Sequence, residues 1–564
     1  MSTPKTSKDK VIQFVLDYVA KHQKLPTKPS IFYFAGITRN IIRENFGSVT
    51  SLLDYMQSNY SEELSGIFTD THFSESVITG LRKKAKKYNK FIISTVVPNA
   101  PVNQAFLQSL KNYCKLNKAL LLLLPTKGEL LDIDPSLVDE DIAFGDIWLN
   151  DNIKIWALDV IAKTVNPVAP LMKYTHAEGS FIVPSPKQIF QLAPNMSHLP
   201  RAGMSPGAVT EPVYDKSSAG AKAHEDHFFG AIVVEIDNKK IFHSRDLEAL
   251  DDGSFVDLGL HYKQSGKPRK LDKSEILRVD GDHHAYEIDP VIRKVQDKMQ
   301  KEIPAWCNVS HDTWSQYIEN HHEKGKYITN AQKASEQAIE IEKERKITKS
   351  FLMDRASQFD SVKCISSNHN DALARFNDEG RYLESASNWE IGHILSLAQF
   401  YGIHPVEFAI NYYDQFKGSM IDIFQAVKSG KKTNINMSLK PASDKIDFLK
   451  EGQSFKFGGF ELGFHGSGGA GGARGTPDAM SFIHSGNTAK SGGVVTGHTH
   501  TPKKHNRSLV VGTSTSLPSQ ENSPKYAKGQ PNGWLNTLAF IYAPKGYKRG
   551  SGQLVSIING KYRQ

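Results

Sequence analysis

Five short polar clusters lie in the second half of the chain, each at the end of an apolar run: Asp282-His283-His284 in RVDGDHHAY, His311-Asp312 in CNVSHDTW, Asn368-His369 in CISSNHND, His465 in ELGFHGSGG and His498-Thr499-His500 in VVTGHTHTP. They offer oxygen and imidazole donors and no thiolate, the mix that suits Mn²⁺, Mg²⁺, Fe²⁺ or Zn²⁺ in a hydrolytic site. Two ions ~3.5–4 Å apart need a bridging carboxylate, terminal ligands, and open positions for water and a phosphate. Asp282, Asp312 and the histidines supply that set. Asp280 competes with Asp282, but only Asp282 gives D-x-H with His284.

These residues converge only if the elements before them are strands of one sheet. EILRV, AWCNV and VKCIS read as three strands ending at Asp282, His311-Asp312 and Asn368-His369, with DPVIRKVQDKMQKEI a helix between the first two. The carboxyl ends of successive strands line the ligand crevice of an α/β sheet. A charged helical stretch from Ala331 to Met353 precedes the third strand and either pairs subunits or is solvated. RSLVVGTSTSL, TLAFIYAPK and QLVSIING read as strands closing a second sheet, with Tyr526, Trp534 and Tyr542 as core residues.

Taken together, the clusters resemble the calcineurin-like metallophosphoesterases, whose pattern is DxH, GD, GNH(D/E), a lone His, then GHxH. The resemblance covers roughly residues 275–515. It implies a four-layer α/β/β/α sandwich over residues 274–564 and two divalent ions, most often Mn²⁺, with Mg²⁺, Fe²⁺ or Zn²⁺ as alternatives. Asp282, His284, Asp312 and His500 would surround one ion, and Asp312, Asn368, His465 and His498 the other. His369 would be the non-ligand imidazole that steadies the transition state or protonates the leaving group. The chain departs from the pattern at His311, where Gly is usual, and at Asn370, where an acid is usual. In HGSGGAGGARG, Arg474 is a candidate phosphate clamp on a glycine cradle; the alternative is a loop without ligand contact.

Before the catalytic region, FIISTVV, QAFLQSLKNYCKLN and ALLLLLP predict a strand-helix-strand unit, with IKIWALDVIA and GAIVVEI as further strands. Residues 81–273 are thus a basic linker, LRKKAKKYNK, followed by a central α/β region. His224 and His227 read as surface or packed residues rather than ligands. Residues 1–80 predict a helix over Lys8 to His22 and two short helices between Ile31 and Tyr55. With Thr38, Arg39, Asn40 and Arg43 at the surface, they form either a helix-turn-helix-like DNA-binding domain or a small helical cap.

Composition bounds the rest. The 564 residues exceed one core, and 39% hydrophobic with 23% charged residues is ordinary for a soluble globular protein. The three cysteines show no CxxC, which excludes a disulfide framework or zinc knuckle and fits a reducing cytosol. The N-terminus lacks an uninterrupted apolar core, and no run approaches the ~18 apolar residues of a membrane span, so no membrane partner is expected. A net charge of +9 favours polyanions. The charge, the N-terminal helices and the basic run favour DNA as substrate. The whole layout is similar to pre-early proteins by which T-five-type bacteriophages degrade host DNA, which implies a DNase in the infected bacterium's cytoplasm. A phosphatase or phosphodiesterase for a smaller phosphoester, and a DNA-binding regulator with a degenerate site, are the alternatives.

Overall fold

The computed structural model describes residues 7–22, 25–26, 31, 37–60, 62–64, 75–128, 132–195, 199–315, 317–318, 320, 323, 325–431, 438–466, 492–521, 523–524, 528–529 and 531–564. The chain is a mixed α/β protein. The N-terminal helix Ser7–His22 buries Val11, Ile12, Val15 and Val19. They pack with Ile42, Leu52 and Met56 of helices Arg39–Phe46 and Val49–Asn59 in a small core of their own. Thr38 and Ser48 accept hydrogen bonds from backbone N–H groups at the starts of those two helices, satisfying donors the helices cannot use. Arg39, Asn40 and Arg43 are exposed.

The basic run is not a free linker. Its first half belongs to helix Glu75–Ala85, which buries Leu81 and Ala85, an i, i+4 pair masked in sequence by the lysines between them. Strands Lys90–Val96 and Leu120–Pro125 pair in parallel around helix Gln104–Asn117, and Gly230–Ile236 and Phe242–Glu248 add antiparallel strands to complete a four-stranded sheet. Of IKIWALDVIA, only Ile153–Ile155 is a strand, and it lies in a different sheet.

A six-stranded sheet carries the candidate site. Its order is Ile446–Phe448, Ser361–Cys364, Cys307–Ser310, Ile276–Val279, Thr537–Tyr542, Ser551–Ser556; the first four are parallel and the last two antiparallel. TLAFIYAPK and QLVSIING therefore do not close a second sheet but extend the first, beside the strand that leads to Asp282. Period-2 patterning fixes a strand's faces and not its neighbours, which is why the sequence misassigns them. Ser508–Val510, from RSLVVGTSTSL, does lie in a second, ten-stranded sheet. That sheet draws strands from both sides of residue 273, joined where Lys504 and His505 pair with Phe190 and Ile189.

Alternation along Ile276–Val279 sets the layers. Ile276 shares one core cluster with Ile292, Met299, Phe351 and Leu352 of helices Pro290–Glu302 and Ile341–Gln358, whereas Leu277 and Val279 share another with Val495, Leu509 and Met204 of the ten-stranded sheet. Helices, six-stranded sheet and ten-stranded sheet thus stack in that order. The expected helix from Ala331 to Met353 is two helices, Tyr327–Ser335 and Ile341–Gln358, separated at Gln337, whose φ is 54°. Trp534 is half-buried and Tyr542 fully buried, while Tyr526 lies outside the described residues.

Where the four-stranded sheet meets the C-terminal strands, Arg245 donates to Glu235 at 2.8 Å and to Asp257 at 2.6 Å, all three buried. Burial works against ionisation of Glu235, yet the Arg245 guanidinium and Lys90 hold its carboxyl down to about 2. Glu235 is expected to stabilise the fold fully above its unfolded pKa of about 4.3 and progressively less as pH falls towards its folded value. Arg245→Met strands two carboxylates, and we expect a loss of about 3–5 kcal/mol, read as a lower urea midpoint at pH 7. The wild-type midpoint should itself fall between pH 5 and pH 3.

Candidate metal centre

The strand ends bring the predicted residues together. Asp282, His284 and Asp312 are at most 1% exposed, His465 3% and His500 5%. One ligand atom from each of Asp282, His284, Asp312 and His500 lies within 4.8 Å of all the others, and the same holds for Asp282, His311 and His465. His284 Nε2 stands 3.0 Å from His500 Nε2, His500 Nε2 3.2 Å from Asp282, and His465 Nε2 3.1 Å from Asp312. Two donors at about 2.1 Å from one ion and about 90° apart would be about 3.0 Å from each other. The second expected ligand set forms two pairs, His465 with Asp312 and His498 Nδ1 with Asn368 Oδ1 at 3.2 Å, linked by a His465–His498 ring contact at 5.2 Å.

All four carboxylate oxygens of Asp282 and Asp312 are buried without a hydrogen bond, as are His284 Nδ1, His311 Nε2, His465 Nε2 and His500 Nδ1. Buried polar atoms are almost always satisfied, and leaving one unsatisfied costs about 1–3 kcal/mol, more when charged. Asp280 contrasts with this. A guanidinium already faces it: Arg278 stands 2.8 Å from Oδ1 and donates to Oδ2, which also accepts from Asn308 at 2.9 Å. Other buried atoms among the described residues also lack a hydrogen bond, but these belong to carboxylates and imidazoles grouped around one point, and this buried group of Asp and His side chains can hold a metal ion.

The electrostatics agree. Burial opposes the charge on Asp282, but His465 and His500 outweigh it and hold the carboxyl below its usual range. Asp312 is also buried, yet His465 and His369 hold it well below that range. Burial, then His369, keeps His284 far below the usual imidazole value, and burial with His465 takes His311 down to about 4. His465 goes the other way. Burial lowers it, but Asp312 and Asp282 raise it to about 9. Two ionised carboxylates that pull a buried imidazole towards its protonated form make a field that favours a cation.

Backbone geometry is committed to this arrangement. His284, Asp312, His498 and His500 have φ values of 43°, 43°, 75° and 56°. A non-glycine residue held there costs of order 1–3 kcal/mol. The bonds His284 N to Asp312 O at 2.8 Å and Leu535 N to His500 O at 3.2 Å help hold them. Asp282 donates its N–H to Gly512 O and accepts from Ser514 N, tying the six-stranded sheet to the loop after Ser508–Val510. His283, between two site residues, turns instead to the Phe351 ring at 4.6 Å.

Asn368 and His369 start helix Asn368–Asp378, capped by Ser367. His369 Nδ1 lies 2.9 Å from the Ser315 carbonyl, which can only accept; the proton therefore sits on Nδ1 and leaves Nε2 free for chemistry. Its ring lies 4.4 Å from that of His284. Asn370, where the pattern has an acid, is a latch: it accepts from Trp314 N and donates to Ile365 O. His227 is packed, with Tyr214 Oη and the Thr210 carbonyl on its two nitrogens, and His224 lies outside the cluster. Arg474 lies outside the described residues.

Three contributors escape the sequence reading. His311 joins the cluster, with Nδ1 3.2 Å from His465 Nδ1; its place beside Asp312 at a strand end was the available signal. Trp534 sets its ring 4.1 Å from that of His500, and nothing in the sequence marks that contact. Gly497, just before His498, has no room for a side chain: a Cβ there would fall 2.3 Å from Asp282 Oδ1.

Fold and cluster together define an α/β protein with a buried carboxylate-imidazole centre able to hold a metal ion. No family model matches the chain. No solved structure matches it either. Among curated proteins it is similar to Protein A1 of Escherichia phage T5, 24% identical over 513 residues, covering 85% of this chain and 84% of that protein. Among the described residues, no helix is long and apolar enough to cross a membrane.

Gly497→Ala should displace Asp282 and weaken divalent-ion uptake at least tenfold. Isothermal titration with Mn²⁺ reads this directly, and wild-type affinity in the variant would refute the packing argument.

Proposed function

We propose that the chain is a two-metal phosphodiesterase that hydrolyses DNA, built on the α/β/β/α sandwich of the calcineurin-like metallophosphoesterases. The observation that carries the reading is the pair of buried carboxylates, Asp282 and Asp312, with no hydrogen bond and with imidazoles on every side. The stacking of helices on a six-stranded and then a ten-stranded sheet is compatible with that architecture. Asp282, His284, Asp312 and His500 would hold one ion, and Asp312, Asn368, His465 and His498 the other, with His311 closing the wall behind Asp282 and His465. When bound, such ions would neutralise a phosphate and lower the pKa of water to supply a nucleophile; the resemblance implies Mn²⁺, while the donor set itself also accepts Mg²⁺, Fe²⁺ or Zn²⁺.

The protein's own groups do the rest. Asp312 is common to the two proposed ligand sets, and His284 Nε2 and His465 Nε2 both approach its Oδ2, at 3.8 and 3.1 Å. His369, with its Nδ1 proton held by Ser315, presents Nε2 to a developing charge or a leaving oxygen. DNA as substrate is supported by the net charge of +9 and by the exposed Arg39, Asn40 and Arg43 on the N-terminal helices. Similarity to a T5 protein supports action on host DNA in the cytoplasm of an infected bacterium.

Asp312→Ala and His500→Ala should each remove Mn²⁺-dependent cleavage of supercoiled plasmid, by at least about 10³-fold on the scale of groups that organise a transition state. EDTA should abolish wild-type cleavage. His369→Ala should lower turnover by about 10²–10⁴-fold while keeping bound metal near the wild-type level. Undiminished cleavage by both ligand variants would overturn the site, and loss of metal from His369→Ala would make that residue a ligand.

A further inference from the structure

A cavity of about 270 Å³ opens at the carboxyl ends of strands Ser361–Cys364 and Ile446–Phe448. It lies on the same sheet edge as the metal centre, whose residues follow strands Ile276–Val279 and Cys307–Ser310 and start the helix after Ser361–Cys364. Strands are about 4.8 Å apart, so the cavity lies on the order of 5–10 Å along the crevice from the cluster. Asn370 and Asp371, in the first turn of the helix that carries Asn368 and His369, form part of its wall. Its volume falls at the lower end of small-ligand pockets, about 300 Å³.

The lining has a definite chemistry. Glu407 is half-buried, and its carboxylate makes no hydrogen bond to the described residues; burial raises its pKa despite His404 and Lys450 nearby. Asp371 Oδ1 lies 3.3 Å from His404 Nε2, which fixes the carboxylate in place. Phe448 supplies an apolar side, and Lys450 is exposed at the rim. Carboxylates in a DNA crevice repel phosphate but accept from amino groups. Cytosine, adenine and guanine carry an exocyclic amino group, and thymine has none.

Building on the DNA-hydrolysis reading, we propose that this cavity takes the nucleobase adjoining the scissile phosphate, with Glu407 accepting from its exocyclic amino group and Asp371 as a second acceptor. Lys450 meets the backbone at the rim. The enzyme then has a base preference at one position beside its cut, directed against thymine.

The test uses the full-length protein with Mn²⁺ on single-stranded oligonucleotides that differ only in the base next to a mapped cut: dC, dT, or N4,N4-dimethyl-dC, which keeps the ring and loses the amino hydrogens. Wild type should cleave the dC substrate roughly tenfold faster than the dT one, with the dimethylated base falling to the dT rate, as expected for loss of one good base contact. Glu407→Ala should bring the dC to dT ratio close to one. Equal wild-type rates on all three, or an unchanged ratio in Glu407→Ala, would overturn the subsite. The dimethylated substrate tests it on the unaltered protein, whatever the variant does to folding. If wild type cuts neither these oligonucleotides, nor their duplexes, nor supercoiled plasmid, but hydrolyses bis(p-nitrophenyl) phosphate, the DNA reading itself fails, and the subsite with it.

Discussion

The structure turns on two buried carboxylates, Asp282 and Asp312, placed side by side with imidazoles as their nearest polar partners. Like charges at such range are tolerated only when positive charge is supplied between them. Imidazoles supply part of it, which is why His465 is driven up to about 9. The surrounding fold must hold this arrangement against its own repulsion. It does so with backbone rather than side chains: Asp282 is pinned by Gly512 and Ser514, and His284 by Asp312. Four site residues sit at positive φ as a consequence.

That constraint explains the joining of the sheets. The six-stranded sheet delivers Asp282, Asp312 and Asn368, and the loops of the ten-stranded sheet deliver His465, His498 and His500. Neither sheet has a centre alone. The shared core, with Leu277, Val279 and Val309 on one side and Val495 and Leu509 on the other, fixes their separation. The glycines sit where the loops touch: a Cβ at Gly281 or Gly512 would meet backbone at 2.7 or 1.9 Å. The central region takes part through the same sheet, so its strands support the C-terminal loops rather than forming a separate body. Within it, the buried Arg245 with Glu235 and Asp257 locks the four-stranded sheet.

On the proposed reading, the cavity beside the centre would extend one crevice from hydrolysis to recognition. An enzyme that only needed to bind polyanion would line that edge with cations. Here a cluster that wants negative charge neutralised is followed, one strand further, by Glu407 and Asp371. Such a change of sign along one sheet edge suits a substrate whose phosphates and bases alternate.

The sequence by itself placed oxygen and imidazole donors at strand ends, legible from period-2 apolar runs, and the resemblance of their order to a known family singled out Asp282, His284, Asp312, His465, His498 and His500 as candidates. It also determined the N-terminal helices, whose apolar spacing is local, and the parallel unit around Gln104–Asn117. Tertiary structure decided what depends on neighbours distant in the chain. It placed Thr537–Tyr542 and Ser551–Ser556 in the first sheet, made Leu81 and Ala85 core residues within a lysine run, and divided the Ala331 to Met353 helix at Gln337. It tied Asp280 to Arg278 and left Asp282 open, and it recruited His311, Gly497 and Trp534 to the centre. A residue's type and local period are written in the chain, but its hydrogen-bond partners and the space left for its Cβ are set by segments two hundred residues away, which only packing brings into contact.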